Sequence, residues 1–278
     1  MKVGIIGAGT MGCGIAQAFA AHEKYSVALC DIDLELAEKG LARLAGKLQK
    51  SVDKGKLDSA QAKGLLSRIQ AGVITQLSDR DLVIEAAREN MAEKKKIFSQ
   101  LQGICPKNTL FATNTSSLSI TEMGQGLDRE IIGMHFFNPA EILKLVEVVA
   151  GMNTTLAMVE KIKSIAQDIG KTPIEVKESA GFVVNRLLIP MINEAIGVLA
   201  DGVASAEDID TAMKLGANHP LGPLALADLV GLDICLAIME VLHAETGEDK
   251  YRPHPLLRKM TRGGLLGRKS GRGFFTYP

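Results

Sequence analysis

Hydrophobic and polar residues follow two different patterns along the chain. Through about residue 150, short apolar runs such as KVGIIG, SVALCDID, AGVIT and LVIEAA alternate with longer segments whose apolar residues recur at three- and four-residue steps. The runs are typical of buried strands, and the longer segments predict helices over about 11–21, 34–66 and 93–101. Strands alternating with helices predict an α/β fold with a doubly wound parallel sheet.

From about residue 179 the pattern becomes helical. Three long segments follow one another: GFVVNRLLIPMINEAIGVLADG, SAEDIDTAMKLG with Ser205 as N-cap, and LALADLVGLDICLAIMEVLHAETG. We therefore predict two domains, an α/β domain over 1–179 and an all-helical domain over 180–278. Helices that are apolar on several faces must be buried, which predicts a subunit interface and a homodimer or larger homo-oligomer.

The first predicted strand runs directly into a glycine motif. Gly7-x-Gly9-x-x-Gly12 lies between that strand and a helix, the position at which glycines allow a tight turn and let the backbone approach a pyrophosphate. The second strand ends at Asp31, which is placed to accept hydrogen bonds from an adenosine ribose. An ordinary strand-end aspartate is the alternative. An acid here would repel a 2'-phosphate, so NAD is favoured over NADP. The motif predicts a Rossmann-type domain.

The stretch IIGMHFFNPAEILKLVEVV contains two apolar arms joined by a predicted tight link at 138–140. If the arms pair about residue 141, His135 and Glu147 lie opposite each other on one face. A buried glutamate needs a partner, and an imidazole N–H bonded to it would have a fixed tautomer and a more basic ring, suited to general base catalysis. A core histidine and an edge-strand glutamate form the alternative.

Composition excludes several classes of function. The 278 residues are 46% hydrophobic and 23% charged, with a formal net charge of zero and no Trp, which argues against a nucleic-acid binder. No apolar run is long enough to span a membrane, and the N-terminus does not resemble a signal peptide. The four cysteines have neither disulfide nor zinc spacing, which predicts reduced thiols in a cytoplasmic protein without a bound metal.

The chain resembles the short-chain 3-hydroxyacyl-CoA dehydrogenases, most closely those of bacteria that act on 3-hydroxybutyryl-CoA. The resemblance rests on GAGTMGCGIA, LVIEAA, NTSSLSIT, GMHFFNP, KLVEVV, GFVVNR, DIDTAMKLGANHPLGPL and GRKSGRGFFTY, in this order along nearly the whole chain. It implies NAD-dependent interconversion of 3-hydroxyacyl-CoA and 3-oxoacyl-CoA, with short acyl chains and the S isomer.

The resemblance also implies roles for individual residues. His135 would be the catalytic base and Glu147 its orienting partner, with Ser116 and Asn185 bonding the reacting oxygen. Implied cofactor contacts are Gly7, Gly9, Thr10, Met11, Gly12, Asp31, Glu89, Lys94, Ser116, Asn138 and Lys269. The helical steps of Lys39, Arg43, Lys47, Lys50 and Lys54 predict a basic helix face, which the thioester would explain through the phosphates of coenzyme A. Implied substrate contacts are Ser116, Asn185, Lys47, Lys54 and Lys56; a solvated face is the alternative for the lysines.

One departure bears on specificity, because Glu141 stands near the predicted hairpin where relatives commonly have a smaller apolar residue. Two other functions stay open on the residues alone. The first is a dehydrogenase of free 3-hydroxyacids, which would use a lysine base. The second is a dinucleotide-binding protein without catalysis. For Ser117 and Ser119 we expect structural hydrogen bonds.

Overall fold

The computed structural model describes residues 1–277 and divides into two compact units, Met1–Ser179 and a second that begins at Ala180. Each unit has its own hydrophobic core. In the first, both faces of a sheet are packed against helices, with Ile5, Leu29, Ile84 and Phe136 among its buried residues. In the second, helices pack on one another.

The first unit is built on one eight-stranded sheet with the order β3-β2-β1-β4-β5-β6-β7-β8. The strands are β1 Lys2–Ile6, β2 Ser26–Asp31, β3 Ile69–Val73, β4 Leu82–Glu85, β5 Leu110–Thr113, β6 Ile131–Phe136, β7 Leu145–Ala150 and β8 Thr172–Lys177. Neighbours from β3 to β6 are parallel, β7 is antiparallel to β6, and β8 is parallel to β7. The prediction of a doubly wound α/β sheet followed by a helical domain is confirmed.

Helices cover the sheet and make up the second unit. Those of the first unit are α1 Thr10–Ala20, α2 Leu34–Asp53, α3 Ser59–Ser67, α4 Met91–Ile104, α5 Ile120–Met123 and α6 Leu156–Asp168. Those of the second are α7 Val184–Ala200, α8 Ala206–Gly216, α9 Pro223–Val230, α10 Leu232–Thr246 and α11 Pro255–Arg262. As predicted, Ser205 caps α8 by accepting a hydrogen bond from the backbone of Asp208, and Ser119 caps α5 in the same way.

Two helices predicted as continuous are each divided at a glycine. The segment 34–66 becomes α2 and α3, separated by a turn in which Gly55 has φ +66° and Asp58 begins the new helix as its N-cap. The long segment after Leu224 becomes α9 and α10, with Gly231 at φ +106° between them. Left-handed backbone ends a helix even where the apolar spacing continues, which is why spacing alone missed both breaks.

The hairpin of β6 and β7 has the predicted register but not the predicted link. His135 pairs with Glu147, as expected for pairing about residue 141. However, β6 ends at Phe136 and β7 begins at Leu145, so the connection is an eight-residue loop, 137–144, instead of a tight turn. The loop is held by Lys171, whose Nζ donates to the carbonyls of Ala140 (2.6 Å) and Leu143 (2.8 Å).

Candidate active site

The glycine turn between β1 and α1 leaves the start of the helix open. Gly7 has φ +101°, and a Cβ there would lie 2.5 Å from the carbonyl oxygen of Ala86; a Cβ on Gly12 would lie 1.7 Å from the carbonyl oxygen of Gly7. At Gly9, by contrast, no atom lies within 4 Å of the Cβ position, and this N-cap has no side-chain hydrogen bond. The residues therefore fit a pyrophosphate, with room at Gly9 and free backbone N–H groups behind it.

Asp31 lies at the end of β2, beside this turn. Its Oδ2 accepts a hydrogen bond from the backbone N–H of Ala8 (2.7 Å) and its Oδ1 one from that of Ile32 (2.8 Å). Each carboxylate oxygen has a further lone pair, so a pair of ribose hydroxyls could still donate to it. The carboxylate therefore has a defined orientation and acceptor capacity left for the predicted ribose contact.

His135 and Glu147 meet across the hairpin. The imidazole Nδ1 lies 2.7 Å from Oε2 of Glu147, and both side chains are buried. An ionised carboxylate can only accept, so the proton of the shared hydrogen bond belongs to Nδ1 and the ring tautomer is set. The ring also contacts Phe137, with a centroid distance of 4.5 Å, which restricts its rotation.

Glu89 organises the loop that follows β5. Its Oε1 accepts hydrogen bonds from the Thr115 hydroxyl (2.6 Å), from the backbone N–H (2.8 Å) and hydroxyl (3.0 Å) of Ser116, and from the backbone N–H of Ser117 (3.2 Å). Burial would raise the pKa of Glu89, but the nearby ammonium of Lys94 and these hydrogen bonds outweigh it and lower the pKa below its usual value. Glu89 therefore holds the 115–117 turn as an anion.

A second carboxylate, Glu85, lies behind Glu89 at the end of β4 and is fully buried. It pairs with Lys94, whose Nζ lies 2.7 Å and 2.8 Å from its two oxygens. Lys94 is one of the cofactor contacts that the family resemblance implies, whereas Glu85 is not among the predicted site residues. The signal was present, since LVIEAA places one acid in an otherwise apolar strand, the same anomaly that identified His135 and Glu147.

Two lysines of the predicted basic face of α2 are paired with acids. Lys39 pairs with Glu35 on the same helix (2.5 Å), and Lys47 pairs with Glu141 of the 137–144 loop. The Glu141 side chain is only 9% exposed although it carries a charge. Helical spacing could have shown Glu35, which is four residues before Lys39, but not Glu141, which is 94 positions away from Lys47 in the chain.

The other predicted contacts fall into two groups. In the first unit, Thr10, Asn138, Lys54 and Lys56 are exposed to solvent and Met11 is half-buried. In the second unit, Asn185 is the second residue of α7, and the Nζ of Lys269 pairs with both carboxylate oxygens of Asp233, at 2.5 Å and 2.6 Å. Their roles stay predictions.

Residues 1–277 contain no helix with the length and apolar character needed to cross a membrane. Within the same range, no three or more His, Cys, Asp or Glu side chains are grouped so that they could hold a metal ion.

Comparison with known proteins gives consistent results over the whole chain. Residues 2–179 match the family model for the NAD binding domain of 3-hydroxyacyl-CoA dehydrogenase, and residues 181–277 match the model for its C-terminal domain. The chain is 51% identical to the 3-hydroxybutyryl-CoA dehydrogenase of Clostridioides difficile, covering 100% of this chain and 99% of that protein. It is 49% identical to a probable 3-hydroxybutyryl-CoA dehydrogenase of Bacillus subtilis, covering 99% and 97%.

The solved structures agree. The crystal structure of (S)-3-hydroxybutyryl-CoA dehydrogenase from Ralstonia eutropha superposes with a TM-score of 0.93 at 48% identity, covering 100% of this chain and 99% of that one. Fold, glycine turn and both family models thus lead to one conclusion: the chain belongs to the 3-hydroxyacyl-CoA dehydrogenase family, with an N-terminal NAD-binding domain and a helical C-terminal domain.

Proposed function

We propose that this enzyme interconverts short-chain 3-hydroxyacyl-CoA and 3-oxoacyl-CoA, with 3-hydroxybutyryl-CoA and acetoacetyl-CoA as its substrates and with NAD as cofactor. The observation that carries the proposal is the buried His135–Glu147 pair, with Nδ1 and Oε2 2.7 Å apart. His135 lies near the carboxyl end of β6, which is on the same edge of the sheet as the glycine turn after β1, and Glu147 faces it from the antiparallel strand β7. Ligands of open α/β sheets bind at this edge.

His135 acts as the general base in the oxidative direction. It takes the proton of the 3-hydroxyl group through Nε2, while Glu147 holds Nδ1–H and stabilises the positive charge that the ring acquires. The glycine turn and Asp31 would hold the dinucleotide, which would supply the acceptor for the hydride that leaves C3 and, as NADH, the hydride for the reductive direction. In the reductive direction the protonated ring of His135 returns its proton to the carbonyl oxygen. Proton transfer of this kind contributes roughly 10²- to 10⁴-fold to the rate.

Ser116 is proposed to bond the reacting oxygen and the cofactor. Support comes from its position: Glu89 accepts from both its backbone N–H and its hydroxyl, so the residue has a defined orientation. Asp31 and the glycine turn bind the adenosine and pyrophosphate parts of the dinucleotide, with Glu89 and Lys94 beside them. Asn185 as a partner of the reacting oxygen, and Asn138 and Lys269 as cofactor contacts, rest on the family resemblance.

The substrate assignment rests on the relatives that carry 3-hydroxybutyryl-CoA dehydrogenase in their names and on the basic end of α2. Lys54 and Lys56 are exposed and, with Lys47, are proposed to contact the phosphates of coenzyme A. Family membership favours the thioester over a free 3-hydroxyacid, and the S isomer follows the Ralstonia relative. The four cysteines are free and buried, which supports a cytoplasmic location.

The test is acetoacetyl-CoA-dependent oxidation of NADH and of NADPH by wild type, His135→Gln and His22→Gln. We expect turnover with NADH, a loss of roughly 10²- to 10⁴-fold in His135→Gln with NADH binding retained, and no comparable loss in the His22 control. Preference for NADPH would contradict the role of Asp31. NADH binding by wild type without turnover on acetoacetyl-CoA or longer 3-oxoacyl-CoA substrates would favour the non-catalytic alternative.

A further inference from the structure

Glu85 is bonded far more heavily than a strand residue requires. Its side chain is fully buried at the end of β4. Besides Lys94, it accepts hydrogen bonds from the Thr113 hydroxyl (2.6 Å) and from the backbone N–H of Ala87 (2.6 Å). The buried carboxylate thus has four donor contacts, enough to compensate a negative charge. Two come from Lys94 on α4, one from Thr113 at the end of β5 and one from Ala87 just after β4.

Lys94 connects this carboxylate to Glu89. The lysine side chain is 1% exposed, and its Nζ lies 3.3 Å from Oε2 of Glu89 in addition to its two contacts with Glu85. The two contacts with Glu85 are hydrogen bonds, and the contact with Glu89 is an ion pair. Lys94 is thereby held at one place between Glu85 and Glu89.

Thr113 provides a second connection to the same loop. Its hydroxyl donates to Glu85 and accepts a hydrogen bond from the backbone N–H of Thr115 (3.2 Å). Thr115 in turn donates through its own hydroxyl to Glu89 (2.6 Å). Glu85 thus reaches the 115–117 turn by two routes, through Lys94 and Glu89, and through Thr113 and Thr115.

We infer that Glu85 is a positioning residue of the dinucleotide site, which holds Lys94 and Thr113 and through them fixes Glu89 and the turn that carries Ser116. The inference rests on the proposed function only in assigning Glu89 and Ser116 to the cofactor site. Without the Glu85 charge, the buried ammonium of Lys94 has Glu89 as its remaining anionic partner within contact distance. Lys94 then moves toward Glu89 and competes with Ser116 for its oxygens.

The test compares Glu85→Gln with Glu178→Gln. Glu178 is also in the first unit, and its carboxylate accepts from the backbone N–H (3.2 Å) and hydroxyl of Thr121, but it follows β8 at the opposite edge of the sheet. Nicotinamide fluorescence gives the Kd of NADH at a temperature at which both variants are folded. We expect the Kd to rise about tenfold or more in Glu85→Gln and to change by less than about twofold in Glu178→Gln.

A Kd readout separates positioning from mere stability. If Glu85 only stabilised the fold, Glu85→Gln would lower the melting temperature and the active fraction, while the folded fraction kept the wild-type Kd; that result would overturn the inference. Thr113→Val, which removes the second connection without changing any charge, is the companion variant. It should raise the Kd about two- to fivefold. Should Glu85→Gln not fold, an unchanged Kd in Thr113→Val would overturn the inference.

The outcomes also distinguish this inference from the proposed function. Wild-type turnover of acetoacetyl-CoA together with an unchanged Kd in both variants would overturn the role of Glu85 alone. The wild-type protein could instead bind NADH without turning over acetoacetyl-CoA, which would contradict the proposed reaction. A raised Kd of NADH in Glu85→Gln would then still support the role of Glu85.

Discussion

Three charged or titratable side chains lie inside otherwise apolar strands: Glu85 in β4, His135 in β6 and Glu147 in β7. Taking a carboxylate out of water has an effective penalty of several kcal/mol unless hydrogen bonds or a counter-charge compensate. Each of the three has such a partner. Glu85 pairs with Lys94, and His135 and Glu147 pair with each other. A buried polar residue with such a partner is a candidate site residue, and these three are the ones proposed for cofactor positioning and for proton transfer.

Glu147→Gln separates the charge of the residue from its geometry. The amide oxygen can still accept from Nδ1–H, but the charge that stabilises the imidazolium is lost. We expect kcat for acetoacetyl-CoA reduction to fall about 10²-fold, less than in His135→Gln, with the KM for NADH nearly unchanged. Glu175→Gln, on the neighbouring strand β8, is the control and should retain wild-type kcat. An unchanged kcat in Glu147→Gln would contradict the orienting role.

The lowered pKa of Glu89 makes its contribution to stability depend on pH. A carboxyl whose pKa is lower in the folded protein stabilises the fold fully above its ordinary pKa of 4.5, and this contribution disappears as the pH falls through the folded-state value. The free energy of unfolding of wild type should therefore exceed that of Glu89→Gln at neutral pH. Denaturant titrations at descending pH should show the difference shrinking below pH 4.5; a constant difference would contradict the assignment.

At the scale of elements, the hairpin of β6 and β7 brings the proposed catalytic pair, His135 and Glu147, together, while its loop contacts α1 and α2. Glu141 lies close to α1, since a Cβ on Gly14 would be 3.0 Å from its Oε2, and it pairs with Lys47 of α2. A lysine proposed to bind coenzyme A is thus already paired with an acid. Phosphate must compete with Glu141 for that ammonium.

Glu141→Ala should release Lys47 and lower the KM for acetoacetyl-CoA several-fold at low salt, with less effect at high salt because exposed charges are screened. The KM for acetoacetyl-pantetheine, which lacks the nucleotide phosphates, should change little. Glu35→Ala is the matched control, since it releases Lys39 on the same helix. An equal decrease of KM for both thioesters would mean that Glu141 acts on the acyl chain instead of on the phosphates.

At the scale of the whole molecule, the two units have separate cores, and the second has large apolar side chains in solvent. They include Leu187, Val203 and Leu215, which are 71%, 72% and 83% exposed. Exposed apolar surface on helices is a common feature of subunit interfaces, in line with the predicted homodimer or larger homo-oligomer.

Sedimentation equilibrium should therefore give at least twice the monomer mass at micromolar concentration. Leu187→Glu should lower that mass, whereas Met152→Glu, at an exposed apolar residue of the first unit, should not. A monomer mass for the wild-type protein would contradict the dimer.

In the second unit, one long-range attachment could not be predicted from the helical pattern of the sequence. Its terminal segment is attached to Asp228, a buried acid that accepts hydrogen bonds from the backbone N–H groups of Phe274 (3.0 Å) and Phe275 (2.9 Å) and from the Tyr277 hydroxyl (3.0 Å). Up to Tyr277 the tail is paired through the isolated bridges Gly267–Arg272 and Arg272–Thr276. Its anchor on α9 was not visible in the sequence.

Features that depend on neighbouring residues could be predicted from the amino-acid sequence alone. These local features are the apolar spacing, the glycine turn and the cap at Ser205. The pairing of His135 with Glu147 was also predictable, because side chains of a strand alternate with period two and the two residues are evenly spaced about residue 141. Tertiary structure decided the rest: the partners of Glu85 and Lys47, the eight-residue hairpin loop, and the helix breaks at Gly55 and Gly231. Those features depend on contacts between residues far apart in the chain and on the backbone angles that the fold imposes at single positions. The local pattern of apolar and polar residues predicts neither.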